Sequence, residues 1–410
     1  MRTPFWSCVI ATVLGGSAAM AALNVPSDGS DGALVISANT VIDLGQAVTG
    51  SWDANNTANG GKGVYDAEKW AVVFKYSSVT VASGATVSFK NHISRAPVVW
   101  LVNGNVTIDG TVSLDGETVG YNAPQLAEPG PGGFRGGTGN FAPGVGRSSG
   151  FGPGGAAGDY YGGGGSFGSS GAAGSSAYGN PSLLPLIGGS GGAGFAGDSR
   201  GGGAGGGAIL IASSETIAVA GTIRANGGGS AGGTGGGSGG AVRLIAKSLD
   251  GSGVVQCLGG GGSNPGGLGR IRIERANNNN SLQVNPDPSV VTLADLTSPQ
   301  IWMPATGPQV RIVSVGGKTP PSDPLAAFGA AGADVTLPQV TTSEVIVETT
   351  NVEEAATVKV RVSPRANGNF TETLAGTHQV ITSDPLVIRW TASVPVNDGY
   401  SAMQVRVVRP

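Results

Sequence analysis

The stretch AILIASSETIAVAGTIRANGG, residues 208–228, has two near copies in the same chain: VVWLVNGNVTIDGTVSLDG at 98–116 and AVRLIAKSLDGSGVVQCLGG at 241–260. Each copy is an apolar run, a small bend, and a second short run that ends in glycine. The copies align residue by residue. Val106, Ile108, Gly110, Val112, Leu114 and Gly116 match Ile217, Val219, Gly221, Ile223, Ala225 and Gly227, and then Leu249, Gly251, Gly253, Val255, Cys257 and Gly259. Within a copy the apolar residues alternate with a period of two, as in a strand with one buried face. Val79, Val81, Gly84, Val87 and Phe89 form an earlier copy, and residues 270–274 a truncated last one. Outside the long insertion the copies recur about every 27 to 33 residues, a length that suits one turn of a strand solenoid better than a helical repeat.

Composition narrows the class further. Of 410 residues 75 are glycine and only 12% are charged, so the expected fold is all-β with extensive glycine loops. A net charge of −3 argues against nucleic acid, which needs a basic stripe to neutralise phosphates. The Arg-Gly-Gly triplets at Arg135 and Arg200 are too few for an RNA-binding tail.

Residues 1–21 read as a signal peptide. Arg2 supplies the positive start, residues 6–14 an apolar core too short to span a bilayer, and Ala19, Met20 and Ala21 a small-x-small cleavage site. The mature chain is therefore expected to be exported to the periplasm, cell surface or medium of a bacterium, without a transmembrane segment. Cys8 leaves with the leader, and Cys257, aligned with Leu114 and Ala225, is expected to face the core.

Residues 22–276 are expected to form the repeating unit. Trp52, Tyr65, Trp70 and Phe74 are concentrated near its start and suit a cap over the open end of a repeat array. The insertion at about 117–207, rich in Gly, Ala, Ser and Pro, has too few apolar residues for a core of its own. Its scattered aromatics suggest a layer packed outside the repeats, stacked with the glycine loops 227–240 and 259–269. Residues 277–308, opening with four asparagines, read as a linker. Strand-like runs recur through residues 309–410 at 310–315, 334–337, 344–348, 356–362, 370–374, 386–391 and 402–408, as in an immunoglobulin-like β-sandwich with Trp390 as core anchor.

The motifs GVYDAEKWAVVFKY (63–76), SRAPVVWLV (94–102), GGGAGGGAILIA (201–212) and GGLGRIRIE (266–274), with the repeats around them, resemble the right-handed parallel β-helix of the pectin-lyase-like superfamily. They resemble in particular glycine-rich secreted bacterial proteins that carry such a helix before a small β-sandwich. The resemblance covers most of residues 24–274 and speaks for architecture rather than activity.

Superfamily enzymes that cut polysaccharides cluster carboxylates on one outer face, which implies paired acids roughly 5 to 9.5 Å apart for a hydrolase or a base beside a cation for a lyase. The aligned outward positions do not supply them: Lys90, Asp115, Asn226 and Leu258 form one column, and Ser88, Ser113, Arg224 and Gln256 the next. If the chain is an enzyme, a polysaccharide lyase or glycosidase, its candidate acids are Asp159, Asp198 and Glu117. His92 and His378 have no Ser-His-Asp or metal-ligand spacing around them. No cofactor is expected apart from calcium, for which Asp53, Asn55 and Asn59 alternate ahead of Gly60; an Asx-rich turn explains the same pattern. The expected function is a non-catalytic surface or matrix protein. It would bind polysaccharide or another cell-envelope component, with Tyr160, Tyr161 and Phe167 as stacking rings, or associate with itself.

Overall fold

Residues 22–121, 126–140, 146–158, 160–294, 298–325 and 332–410 are described by a computed structural model. The signal peptide and Asp159 lie outside them. The fold is all-β, with two sheets of parallel strands, apart from one antiparallel pair at Val64–Asp66 and Ala71–Tyr76, followed by two antiparallel sheets. An 11-stranded sheet contains three long strands, Ala208–Val219, Ala241–Gly251 and Arg270–Asn280. Each of these contributes to two successive runs of pairing. The first run passes from Ala71–Tyr76 through Val98–Val102 and the leading halves of the long strands to Ser289–Thr292. The second links Ala33–Ile36, Ser78–Val81 and Val106–Ile108 to the trailing halves. A six-stranded sheet links Thr40–Asp43, Thr86–Lys90, Thr111–Ser113, Thr222–Arg224, Val254–Gln256 and Gln283–Asn285.

The register is that of the aligned copies. Ile217 pairs with Val106 on one side and Leu249 on the other, and Ile223 lies between Val112 and Val255. These side chains, with Ala225 and the fully buried Cys257, enter one core shared by all three runs of pairing. The strand Val98–Val102 is buried at every position. Its outer face is covered by Leu23, Val25 and Ile301, which explains why the run is continuously apolar instead of alternating.

Two expectations change here. Asn277–Asn280 do not open a linker. They pair in register with residues 248–251, and the parallel pairing continues to Thr292. Asparagine is a poor strand former, so its run reads as a break, but ladder bonds to the preceding strand override that preference. The early aromatics also divide. Tyr65 and Phe74 belong to the shared core with Trp70 packed against it, whereas Trp52 meets Trp302 at a tilt, with ring centroids 5.4 Å apart, in the outer cover.

The glycine-rich segments between residues 130 and 269 contain no long strand, yet their amides are bonded with a period of three. Gly189, Gly192 and Phe195 donate to the carbonyls of Gly206, Gly203 and Arg200. Gly202 and Gly205 donate to Gly137 and Phe134, Gly203 and Gly206 to Gly235 and Ser238, and Ala204 and Gly207 to Glu117 and Leu114. Residues three apart thus address the same neighbour, and the three rows of one segment address three different ones. That is the symmetry of an extended threefold backbone of the polyproline II type, here bonded laterally into a layer. The layer cannot admit side chains at its crossing points: a Cβ on Gly192 would overlap the carbonyl of Gly235, and one on Gly203 that of Gly228. The insertion therefore stacks with the loops 227–240 and 259–269.

The C-terminal unit has a four-stranded sheet in the order Gln309–Val315, Thr342–Thr350, Leu386–Pro395, Thr377–Ser383, and a three-stranded sheet in the order Thr371–Leu374, Thr357–Pro364, Ser401–Val408. They share a valine-rich core that includes Trp390, whose indole N–H donates to Thr349 Oγ1 at 2.9 Å. The expected strand at 334–337 is not one. Its place in the count is taken by Thr377–Ser383, an edge strand exposed along its whole length that has no apolar alternation to reveal it. This unit rests on the glycine layer. The buried Arg361 guanidinium donates to the carbonyls of Gly152 and Gly155 at 3.0 Å, pairs with Glu372 at 2.8 Å and lies 3.7 Å above the Phe370 ring. Asn369 exchanges two hydrogen bonds with the Gly158 backbone.

Candidate functional site

At one margin of the glycine layer three tyrosines reach solvent together. Tyr160 and Tyr161 are 56% and 59% exposed, and Tyr121 is 69% exposed. Beneath them lies the Phe195 ring, 4.9 Å from Tyr160 edge-on and 5.7 Å from Tyr161 in a stacked arrangement, while the two tyrosines meet edge to face at 5.1 Å. The Arg200 guanidinium covers the other side, 4.4 Å over Phe195 and 5.1 Å from the Tyr121 ring. Local backbone supports the cluster. Ala196 N–H donates to the Tyr160 carbonyl, and Gly233 at φ +87° gives Phe195 room where a side chain would strike the ring. Edge-to-face rings and a guanidinium over an aromatic face are favourable contacts. The result is a fixed, partly apolar platform.

Of the expected ring residues, Tyr160 and Tyr161 are in this cluster and Phe167 is not. Phe167 is fully buried among Tyr178, Leu183, Ala208 and Ala241. An isolated aromatic in a glycine segment gives no sign of which side it faces, and Phe167 faces the repeats, so it is not a stacking residue. Tyr121 and Arg200 were not among the expected ligands. Their only sequence signal is proximity to the ends of the insertion.

The expected acids have separate partners. Asp198 accepts from Arg200 Nε at 2.7 Å, and this hydrogen bond holds its carboxyl below the usual range, so at neutral pH it is a carboxylate and not a proton donor. Glu117 accepts the Glu128 N–H at 2.8 Å, and Glu128 in turn binds Arg95 and Arg135. Asp159 lies outside the described residues.

In the loop at residues 53–59 the side chains of Asp53 and Asn55 have protein partners. Asp53 accepts from Ser51 Oγ, and Asn55 accepts from Thr57 N–H and donates to Asp28. The Asn59 N–H donates to the Asn56 carbonyl, closing a turn. A cation does occupy the loop: the buried Lys75 ammonium bonds Asp28 Oδ2 at 3.2 Å and the carbonyls of Asp53 and Ala54. The amine takes backbone carbonyls of the loop and not the side chains of Asp53, Asn55 or Asn59, and the Asn55 side chain caps Thr57 N–H as in an Asx turn. Among the described residues no group of three or more His, Cys, Asp and Glu side chains is placed to hold a metal ion, and no helix is long and apolar enough to cross a membrane.

One further constellation was not visible in the sequence. Tyr65 donates to Asp323 Oδ1 at 2.7 Å, the His92 ring stacks on Tyr65 at 4.1 Å, and His92 Nδ1 lies 2.8 Å from Ser94 Oγ. It has the residue types of a catalytic triad but a different wiring. Asp323 takes the tyrosine hydrogen bond, and the Ser94 N–H also points at His92 Nδ1, as in a local turn. Burial lowers the His92 pKa and keeps the imidazole neutral. Compared with family models, with curated proteins and with solved structures, the chain gives no match.

Proposed function

We propose that this is an exported, non-catalytic surface or matrix protein that holds polysaccharide through the Tyr121, Tyr160 and Tyr161 cluster. In this reading the three runs of parallel pairing are the walls of a right-handed parallel β-helix of pectin-lyase-like architecture, and the C-terminal sheets an immunoglobulin-like sandwich docked on its glycine-rich face. The observation that carries the proposal is the grouping of three exposed rings on a buried Phe195 support. Sugar rings present apolar C–H faces that stack on such a platform, and hydroxyls that pair with tyrosine and backbone groups. The internal pairing of Asp198 with Arg200 favours binding over bond cleavage, since a glycosidase needs one carboxyl protonated and one free. Repetition of shallow surfaces along an extended scaffold suits a polymeric ligand.

Self-association has its own support. Among the described residues Ala33–Ile36 and Thr40–Asp43 end their sheets with no strand on their outer edge, with Val35 and Val41 exposed, and open edges of this kind pair with other chains.

The test is retention of purified mature protein on gels containing neutral and acidic polysaccharides. At least one polymer should retard the protein without chain shortening, and the double substitution Tyr160→Ala and Tyr161→Ala should reduce retention about tenfold, the loss of roughly 1.4 kcal/mol. Shortened products from the wild type, or unchanged retention of the double variant, would sink this reading.

A further inference from the structure

We infer that the cleft between the parallel sheets and the C-terminal unit is a second glycan site, built for a single neutral chain. It has a volume of about 1610 Å³, above the roughly 300 to 1,000 Å³ of sites for single small molecules. Such sites form preferentially between units, where apolar walls meet a few fixed polar groups. Here Trp70, Phe134 and Phe151 line one wall and Tyr400 the other. Trp70 is held in place, since its indole N–H donates to the Ser94 carbonyl at 3.1 Å. Tyr400 is 39% exposed.

Charge selects the ligand class. The described residues lining the cleft include four arginines and four acids. The guanidinia are committed in pairs, Arg311 and Arg389 to Glu348, Arg95 and Arg135 to Glu128. Arg311 and Arg389 share one carboxylate and Arg95 and Arg135 another, and the lining acids Asp323, Asp334 and Asp398 offset the positive charge that remains, so the lining as a whole offers a polyanion no net attraction, while a ligand of hydroxyls and C–H faces finds rings and fixed dipoles. Asp323, a residue of the lining, accepts a hydrogen bond from Tyr65 and so ties one unit to the other.

The inference shares with the ring cluster only the class of ligand; its residues are different, and the two fail separately. Isothermal titration of the full mature chain with hexamers of neutral β-glucan, xylan and mannan, and with a hexamer of galacturonate, tests it. At least one neutral hexamer should bind, the galacturonate hexamer should not, and Trp70→Ala and Tyr400→Ala should each weaken binding at least tenfold. In the Tyr160→Ala, Tyr161→Ala background the Trp70→Ala and Tyr400→Ala substitutions should still each weaken hexamer binding at least tenfold, which reads the cleft apart from the ring cluster. Tyr400→Phe should retain binding, which distinguishes loss of the ring from loss of the fold. Wild-type affinity in a well-folded Tyr400→Ala protein, no binding of any neutral hexamer, or preference for galacturonate would overturn the cleft assignment. Polymer retention that survives Trp70→Ala and Tyr400→Ala but falls in the Tyr160→Ala, Tyr161→Ala variant would leave the ring cluster standing without the cleft.

Discussion

Gly203 and Gly261 are both glycines of the stacked layer and its loops, yet they stand in opposite surroundings. A Cβ on Gly203 would overlap the Gly228 carbonyl, a backbone atom that cannot swing aside, whereas a Cβ on Gly261 meets nothing within 4 Å. Gly203→Ala should therefore cost about 2 kcal/mol or more through overpacking, and Gly261→Ala almost nothing, as read from thermal melts. Equal effects would mean that the layer does not have this packing. Charge offers a second test at this scale. Hydrogen bonding from Arg311, reinforced by Arg389 and opposed by burial, holds the Glu348 carboxyl below its usual range. A carboxyl whose pKa is depressed in the folded state contributes stability that is complete above its unfolded value and lost as the pH falls through the folded one. The melting temperature should accordingly fall more steeply in the wild type than in Glu348→Gln as the pH drops below the ordinary glutamate value of 4.5.

Among the elements, the strand pairs were readable where a buried face imposed alternation. Val106, Ile217 and Leu249 were aligned by sequence and are neighbours in the sheet. Elements without a buried face escaped notice. Thr377–Ser383 is exposed throughout, and Asn277–Asn280 is a strand because a neighbouring strand supplies its bonds, not because its side chains favour one. The join between the units was also illegible, since Arg361 reaches carbonyls at Gly152 and Gly155, more than 200 residues away. Arg361→Ala would remove the donor to those carbonyls and one of the cations beside the partly exposed Glu372, a loss of about 1 to 3 kcal/mol. Limited proteolysis should then cut residues 298–308 faster than in the wild type. Unchanged cleavage would mean that the remaining contacts, such as Asn369 with Gly158, hold the C-terminal unit by themselves.

Over the whole molecule, glycine content foretold a stacked layer but not its bonding, because a threefold backbone leaves no mark in the side chains it excludes. The ring cluster was half legible for a related reason. Tyr160 and Tyr161 stand in sequence beside each other, while Tyr121 and Arg200 arrive only when the layer folds. The layer also has a thermal consequence. Unfolding of an ordinary domain raises the heat capacity because hydrocarbon becomes hydrated, whereas hydration of peptide groups lowers it. A layer joined mainly by peptide groups exposes much of the second kind of surface and little of the first. Calorimetry of the mature protein should therefore give a heat-capacity increment per residue below the usual value of about 12 to 15 cal/mol/K, and a stability that changes slowly with temperature around its maximum. An increment within the usual range would mean that apolar burial, not backbone bonding, dominates the glycine-rich third of the chain.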